Sequence, residues 1–125
     1  MLLHQEITDK ILKSFFNVYN TLGYGFLEKV YENSLSIELL ENNLSVNQQV
    51  QIPVYYKEQN VGNYFAYLLI EDKIIIELKA CESIVDEHET QLVNYLKATN
   101  YEVGLLLNFG KKPEFKRKIF ANHYK

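Results

Sequence analysis

One short stretch near the middle of the chain, Lys73-Ile74-Ile75-Ile76-Glu77-Leu78-Lys79-Ala80, most constrains the fold that this sequence can adopt. Its apolar, mostly β-branched side chains predict a buried central strand. Glu77 and Lys79 interrupt the pattern and share one face of that strand, because alternate side chains point the same way. Charged groups inside a sheet are costly to bury without partners. The pair therefore indicates either a structural ion pair at a strand end or a functional site.

Length and composition predict a single globular domain over residues 1–125. No apolar run is long enough to cross a membrane, and the N-terminus lacks the layout of a signal peptide. Cys81 is the only cysteine, so an intrachain disulfide and a cysteine-based zinc site are excluded. We therefore expect a cytoplasmic protein that does not associate with membranes.

The charged residues are unevenly distributed along the chain. Residues 111–125 carry a net charge of +5, whereas the other 110 residues carry −8. A basic segment on an acidic body is typical of a phosphate-binding surface, although it can equally be a solvated face. We define the basic cluster as five residues of this segment: Lys111, Lys112, Lys116, Arg117 and Lys118.

Hydrophobic periodicity predicts the elements in order. Helical spacing covers residues 4–22, 26–42 and 86–99, and Gly23 is a natural end for the first helix. Strand patterns cover residues 45–57, 61–70, 73–80 and 101–109, whereas residues 114–120 fit a short strand or a helix. Pro53 indicates an edge strand or a bulge.

The predicted order is α-α-β-β-β-α-β, an α/β (α+β) fold with a mixed central sheet flanked by helices. The first three strands read as an antiparallel meander. A helix between the third and fourth strands implies that these two strands are parallel.

Four motifs resemble those of the GxxExxY proteins, which are placed in the PD-(D/E)XK nuclease-like superfamily. Gly25-Phe26-Leu27-Glu28-Lys29-Val30-Tyr31 matches the Gly-x-x-Glu-x-x-Tyr signature, and Ile76–Ala80 resembles the Glu-x-Lys strand. Residues 91–97 resemble the Gln-x-x-x-Tyr helix, and residues 104–110 the Gly-Leu-Leu-x-Asn-Phe-Gly strand. The likeness extends from about residue 5 to residue 120 and implies a restriction-endonuclease-like core.

The resemblance implies a Mg²⁺- or Mn²⁺-dependent nuclease that acts on nucleic acid, with DNA the expected substrate. Such a metal prefers carboxylate oxygens and lowers the pKa of a bound water. Glu28 and Glu77 would then be metal ligands and Lys79 the catalytic lysine. Gln91 and Tyr95 would brace the site or contact the backbone of the nucleic acid. We expect all of these side chains to converge on one patch.

One position departs from the superfamily pattern. An Asp is expected on the strand before Glu-x-Lys, but Tyr67 stands there in Phe65-Ala66-Tyr67-Leu68-Leu69. If the turn is Glu71-Asp72-Lys73, Tyr67 lies opposite Glu77. If the turn is only Glu71-Asp72, Ala66 lies opposite Glu77 instead. A phenol is a poor Mg²⁺ ligand at neutral pH.

Other side chains could complete or border the site. Asp86, Glu87 and Glu89 could reach it or could compensate the dipole of their helix. His88 could be a ligand or a helix cap. Two functions remain open: a nuclease with an incomplete acidic site and weak or absent metal binding, or an inactive nuclease-fold module. Such a module would bind nucleic acid, a protein partner or a second copy of itself.

Overall fold

The computed structural model describes residues 2–125. It contains three α-helices, five β-strands and a final 3-10 turn. The helices are α1 (Gln5–Leu22), α2 (Glu28–Glu41) and α3 (Asp86–Lys97). The strands are β1 (Val46–Tyr56), β2 (Gln59–Ile70), β3 (Ile74–Lys79), β4 (Val103–Phe109) and β5 (Pro113–Ile119), and the 3-10 turn is Asn122–Tyr124.

The five strands form one mixed sheet in the order β1-β2-β3-β4-β5. β3 and β4 are parallel, and every other neighbouring pair is antiparallel. The antiparallel meander and the parallel pair are therefore confirmed. The sheet has a fifth strand, β5, at its edge. The sequence predicted either a short strand or a helix for this segment, and the structure shows a strand. No helix in the described part of the chain is long and apolar enough to cross a membrane.

Helices cover both faces of the sheet. Ile74, Ile76 and Leu78 join the core beneath α1 and α2, whereas Ile75 faces the core beneath α3. β4 is buried along its whole length, as its nearly uninterrupted apolar sequence predicts. Alternation along β3 places Glu77 and Lys79 on the same side as Ile75, toward α3.

The turn between β2 and β3 consists of Glu71, Asp72 and Lys73. Ile70 pairs with Ile74, so of the two registers left open by the sequence the structure has the one with the three-residue turn. Glu71 and Asp72 have φ values of 54° and 55°, so a left-handed backbone closes this hairpin.

The β1–β2 hairpin extends well beyond the rest of the sheet. β1 and β2 stay paired to the Tyr56–Gln59 end, but β2 pairs with β3 only from Leu68 to Ile70. We call residues 50–66, which project past β3, the hairpin arm. Pro53 lies in β1, the edge strand of the sheet, so the edge position predicted for it is confirmed.

Candidate functional site

The corner before α2 fixes the position of Glu28. Gly25 has a φ of 109°, which side-chain-bearing residues rarely adopt. The buried Tyr31 hydroxyl donates to the Gly23 carbonyl at 2.7 Å and accepts from the Phe26 N–H at 3.3 Å. Tyr31 thus closes the corner that leads into α2, and Glu28 is the first residue of that helix. The Gly-x-x-Glu-x-x-Tyr spacing therefore has a structural basis.

The Gly-Leu-Leu-x-Asn-Phe-Gly motif of β4 packs against the Gly-x-x-Glu-x-x-Tyr motif and against the end of the Glu-x-Lys strand. The Phe109 ring stacks on Tyr31, with ring centroids 4.2 Å apart and planes 15° apart. The buried Asn108 side chain accepts from the Cys81 N–H at 3.1 Å and donates to the Cys81 carbonyl at 3.0 Å. These contacts hold the start of α2 and the end of the Glu77–Lys79 strand against β4.

Glu77 is a nearly inaccessible carboxylate, with 3 % of its surface exposed. Its Oε1 accepts a hydrogen bond from the Tyr67 N–H at 3.2 Å. Burial raises the pKa of Glu77 to about 7, although the Tyr67 N–H and the positive charge of Lys79 oppose this shift. The negative charge of Glu28 adds to the increase, which places the two carboxylates within electrostatic range. Glu77 is therefore only partly ionised at neutral pH.

Tyr67 is hydrogen-bonded to both carboxylates. Regular pairing of β2 with β3 ends at Leu68. The N–H of the preceding residue, Tyr67, donates to the Glu77 side chain instead of to the β3 backbone. The Tyr67 hydroxyl donates a hydrogen bond to Oε1 of Glu28. Burial and this contact with Glu28 raise the pKa of the Tyr67 phenol, so it stays protonated. The structure thus brings Glu28, Tyr67 and Glu77 together.

Helix α3 supplies the other predicted side chains. Gln91 Nε2 donates to the Tyr95 hydroxyl at 2.9 Å, and Tyr95 is 5 % exposed. Burial and then the negative charge of Glu77 raise the pKa of Tyr95 to about 12, so Tyr95 lies near the Glu77 carboxylate. Gly104 of β4 lets α3 approach closely, since a Cβ there would lie 2.6 Å from Leu92 Cδ1.

The acids and the histidine at the start of α3 have other contacts. Glu89 forms a 2.6 Å ion pair with Lys118. His88 Nδ1 accepts from the Val85 N–H at 3.2 Å, which is the helix-capping role considered for it. Asp86 and Glu87 line a groove between the hairpin arm and α3.

Sequence reasoning missed Glu32. It lies one helical turn after Glu28 and is completely buried, yet it carries a carboxylate. Its oxygens accept from Gln48 Nε2 at 3.0 Å and from Gln49 Nε2 at 3.1 and 3.2 Å, and Lys29 Nζ lies 3.3 Å away. Gln49 has a φ of 55°, at the point where regular β1–β2 pairing is interrupted opposite Tyr67. Glu32 therefore ties α2 to the irregular segment of the hairpin.

The basic cluster divides between two faces of β5. Arg117 pairs with Leu105 and donates to the Leu3 carbonyl at 2.8 Å, on the α1 side. Lys116 and Lys118 face α3, and Lys118 is bound to Glu89. Lys111, Lys112 and Lys116 are exposed, although Lys111 lies 4.0 Å from Glu82. Within the basic cluster, these three are the lysines whose charge is largely exposed to solvent.

The donor set does not fit a divalent metal in this arrangement. Residues 2–125 contain no group of three His, Cys, Asp or Glu side chains suited to hold one. The Glu28 carboxylate is engaged by the Tyr67 hydroxyl, and Glu77 is buried with its pKa raised to about 7. Mg²⁺ requires several ionised or strongly polar oxygen ligands in near-octahedral geometry. The phenol of Tyr67 adds no ionised oxygen, because it stays protonated.

Comparison with known proteins adds independent information. The crystal structure of SSO0001 superposes with a TM-score of 0.59 at 18 % identity, which shows a shared fold. The match covers 74 % of this chain and 50 % of SSO0001, so the chain spans about half of that protein. No curated protein sequence matches this chain significantly. The sequence profile of the PD-(D/E)XK nuclease superfamily matches residues 5–118. The chain therefore belongs to the PD-(D/E)XK nuclease superfamily.

Proposed function

We propose that this protein is a nucleic-acid-binding member of its superfamily, related to the GxxExxY proteins, in which the hydrolytic site is closed. The observation that carries this proposal is the position of Tyr67, which is hydrogen-bonded to Glu28 through its hydroxyl and to Glu77 through its N–H. Superfamily nucleases place an acid at that position. Here the phenol is hydrogen-bonded to Glu28 and stays protonated, so it cannot replace that acid as a metal ligand.

The remaining polar groups are suited to binding a phosphodiester. Lys79 lies at the end of β3, close enough to Glu77 to lower the pKa of that carboxyl. A partly exposed lysine in a strand end can contact a phosphate as a point charge. The Gln91 amide is oriented by its bond to Tyr95 and can meet a sugar or phosphate oxygen. Binding therefore does not depend on the missing acid.

The exposed lysines extend the surface on which a backbone could lie. Glu77, Leu106 and Lys116 occupy one row across β3, β4 and β5, so their side chains point to the same face. Two strand spacings separate Lys116 from Glu77, about 10 Å. Lys79 lies on the same face in the neighbouring row, two residues further along β3, so phosphates of one strand would contact Lys79 and Lys116, with Lys111 and Lys112 beyond the end of β4.

The experiment that tests this function separates binding from cleavage. Binding is measured by fluorescence anisotropy with labelled DNA and RNA oligonucleotides in the presence of a chelator. Cleavage of plasmid and of single-stranded DNA is measured with Mg²⁺ or Mn²⁺ added. We expect binding that weakens with salt, and cleavage that is absent or very slow. An absence of binding to every nucleic acid would contradict the proposal.

A second function, metal-dependent hydrolysis, is favoured by one observation. Glu77 and Lys79 share one face of β3, and Tyr95, which is bonded to Gln91, lies near Glu77, a grouping that supports the roles implied by the family resemblance. A nuclease would require the Tyr67 side chain to release the Glu28 carboxylate. Rapid cleavage by the unaltered protein that disappears in Glu77→Ala would establish this second function and refute the closed site.

A further inference from the structure

A groove of about 830 Å³ runs between the hairpin arm and α3. Its volume lies within the range of ligand pockets in proteins, about 300–1,000 Å³. It adjoins the candidate site, because Gln91 and Tyr95 line its wall and Tyr95 also lies near Glu77. Apart from Gln91, the residues that line this groove take no part in the phosphate contacts proposed above.

Aromatic rings form the outer wall of the groove. Tyr64 and Tyr55 of the hairpin arm line it, with 51 % and 61 % of their surfaces exposed. Tyr64 faces α3, and its ring centroid is 5.6 Å from that of Tyr95, with the planes 46° apart. Gly62 precedes Tyr64 on the same face of the arm. A Cβ added at Gly62 would have no atom within 4 Å, so the space beside Tyr64 is open there.

The two ends of the groove carry opposite charges, and the stretch between them suits a base. Asp86 and Glu87, exposed at the start of α3, would repel phosphates, whereas Lys97, exposed at the end of the same helix, places a positive charge at the other end. The Gln91 and Asn94 side chains supply amide donors and acceptors that match the polar edges of nucleobases. Exposed tyrosine rings provide the stacking surface that single-stranded nucleic acids use in binding proteins.

We propose that this groove binds an unpaired nucleobase of a single-stranded nucleic acid, stacked on Tyr64, while the adjoining phosphate lies at Lys79. The inference rests on the proposed nucleic-acid binding and names its substrate class. The paired bases of a duplex are not free to enter a groove between a hairpin and a helix, because they are stacked and hydrogen-bonded to each other. The protein should therefore prefer single strands.

Anisotropy titrations in a chelator provide the test. Three labelled ligands are compared: a single strand, the duplex of the same sequence, and a sugar–phosphate strand of equal length without bases. Unaltered protein should bind the single strand about tenfold or more tightly than either of the others. Tyr64→Ala should weaken binding to the single strand by about tenfold and leave binding to the baseless strand unchanged. Tyr64→Phe, which keeps the ring, should bind like the unaltered protein.

Tyr56→Ala is the matched control, since Tyr56 is an exposed tyrosine on the same hairpin but does not line the groove. Circular dichroism checks that each variant is folded. Equal affinity for single strand and duplex, or an unchanged affinity in Tyr64→Ala, would overturn this inference and leave the proposed function standing. Failure to bind any of the three ligands would overturn both.

Discussion

The Tyr67 hydroxyl donates a hydrogen bond to the Glu28 carboxylate and joins the hairpin to the start of α2. The same residue donates its backbone N–H to Glu77 at 3.2 Å. Tyr67 thus hydrogen-bonds to both carboxylates, to one through its side chain and to the other through its backbone.

Glu77 should make the stability of the protein dependent on pH. Its pKa is about 7 in the folded protein, against 4.5 for an ordinary glutamate, because the carboxyl is buried. The folded state therefore holds this proton more tightly than the unfolded state, and the free energy of unfolding should fall as pH rises from about 4.5 to about 7. The loss is at most about 3 kcal/mol.

Glu77→Gln removes the titrating group and should be more stable than the unaltered protein at about pH 8, but not at about pH 4.5. Urea unfolding at both pH values, in a chelator, measures the difference. Glu58→Gln, at an exposed position in the hairpin turn, is the control for charge removal alone. If the free energy of unfolding depends on pH in Glu77→Gln as it does in the unaltered protein, the raised pKa does not belong to Glu77.

Glu32 should be required for stability rather than for chemistry. Glu32→Ala leaves the amides of Gln48 and Gln49 without their shared acceptor and creates a cavity under α2. Hydrogen bonds to a buried charged group contribute about 1.5–3 kcal/mol each, so we expect the free energy of unfolding to fall by at least about 2 kcal/mol. Glu41→Ala, an exposed change on the same helix, should alter it by less than about 0.5 kcal/mol. Similar urea midpoints for both variants would refute this role.

Three lysines should carry most of the salt-dependent binding. Simultaneous replacement of Lys111, Lys112 and Lys116 by Ala should weaken nucleic-acid binding and reduce the slope of log affinity against log salt. Each lost phosphate contact changes that slope by about 0.7–0.9. The control triple replaces Lys10, Lys13 and Lys73, which are exposed elsewhere on the protein. If both triples change affinity and slope equally, the three lysines of the basic cluster have no special role.

Much of the fold follows from patterns that the sequence displays directly. The apolar runs of β3 and β4 predict central strands, and the helix between them requires the parallel pairing that is observed. The sequence is compatible with two registers, and the structure has the one in which a three-residue turn pairs Ile70 with Ile74. The position of Tyr67 beside Glu77 could be predicted because strand register is fixed by that turn.

The features that sequence could not supply arise from irregular backbone and from tertiary partners. Pairing of β2 with β3 stops after Leu68, so the Tyr67 side chain is directed toward Glu28 instead of following a regular strand. Glu32 gave one signal, its spacing of four residues from Glu28, but spacing alone does not reveal burial. The basic cluster reads as one patch in sequence, yet strand alternation and the Glu89–Lys118 ion pair divide it.

The central claim is that Tyr67 closes the metal position between Glu28 and Glu77, and calorimetric titration with Mn²⁺ tests it most directly. The titration compares unaltered protein with Tyr67→Phe, which removes the hydroxyl without adding a ligand, and with Tyr67→Asp, which supplies the expected acid. We predict weak or undetectable binding by the first two, clear binding by Tyr67→Asp, and its loss when Glu77→Ala is added. Tight, Glu77-dependent Mn²⁺ binding by the unaltered protein, or no gain in Tyr67→Asp, would contradict the claim.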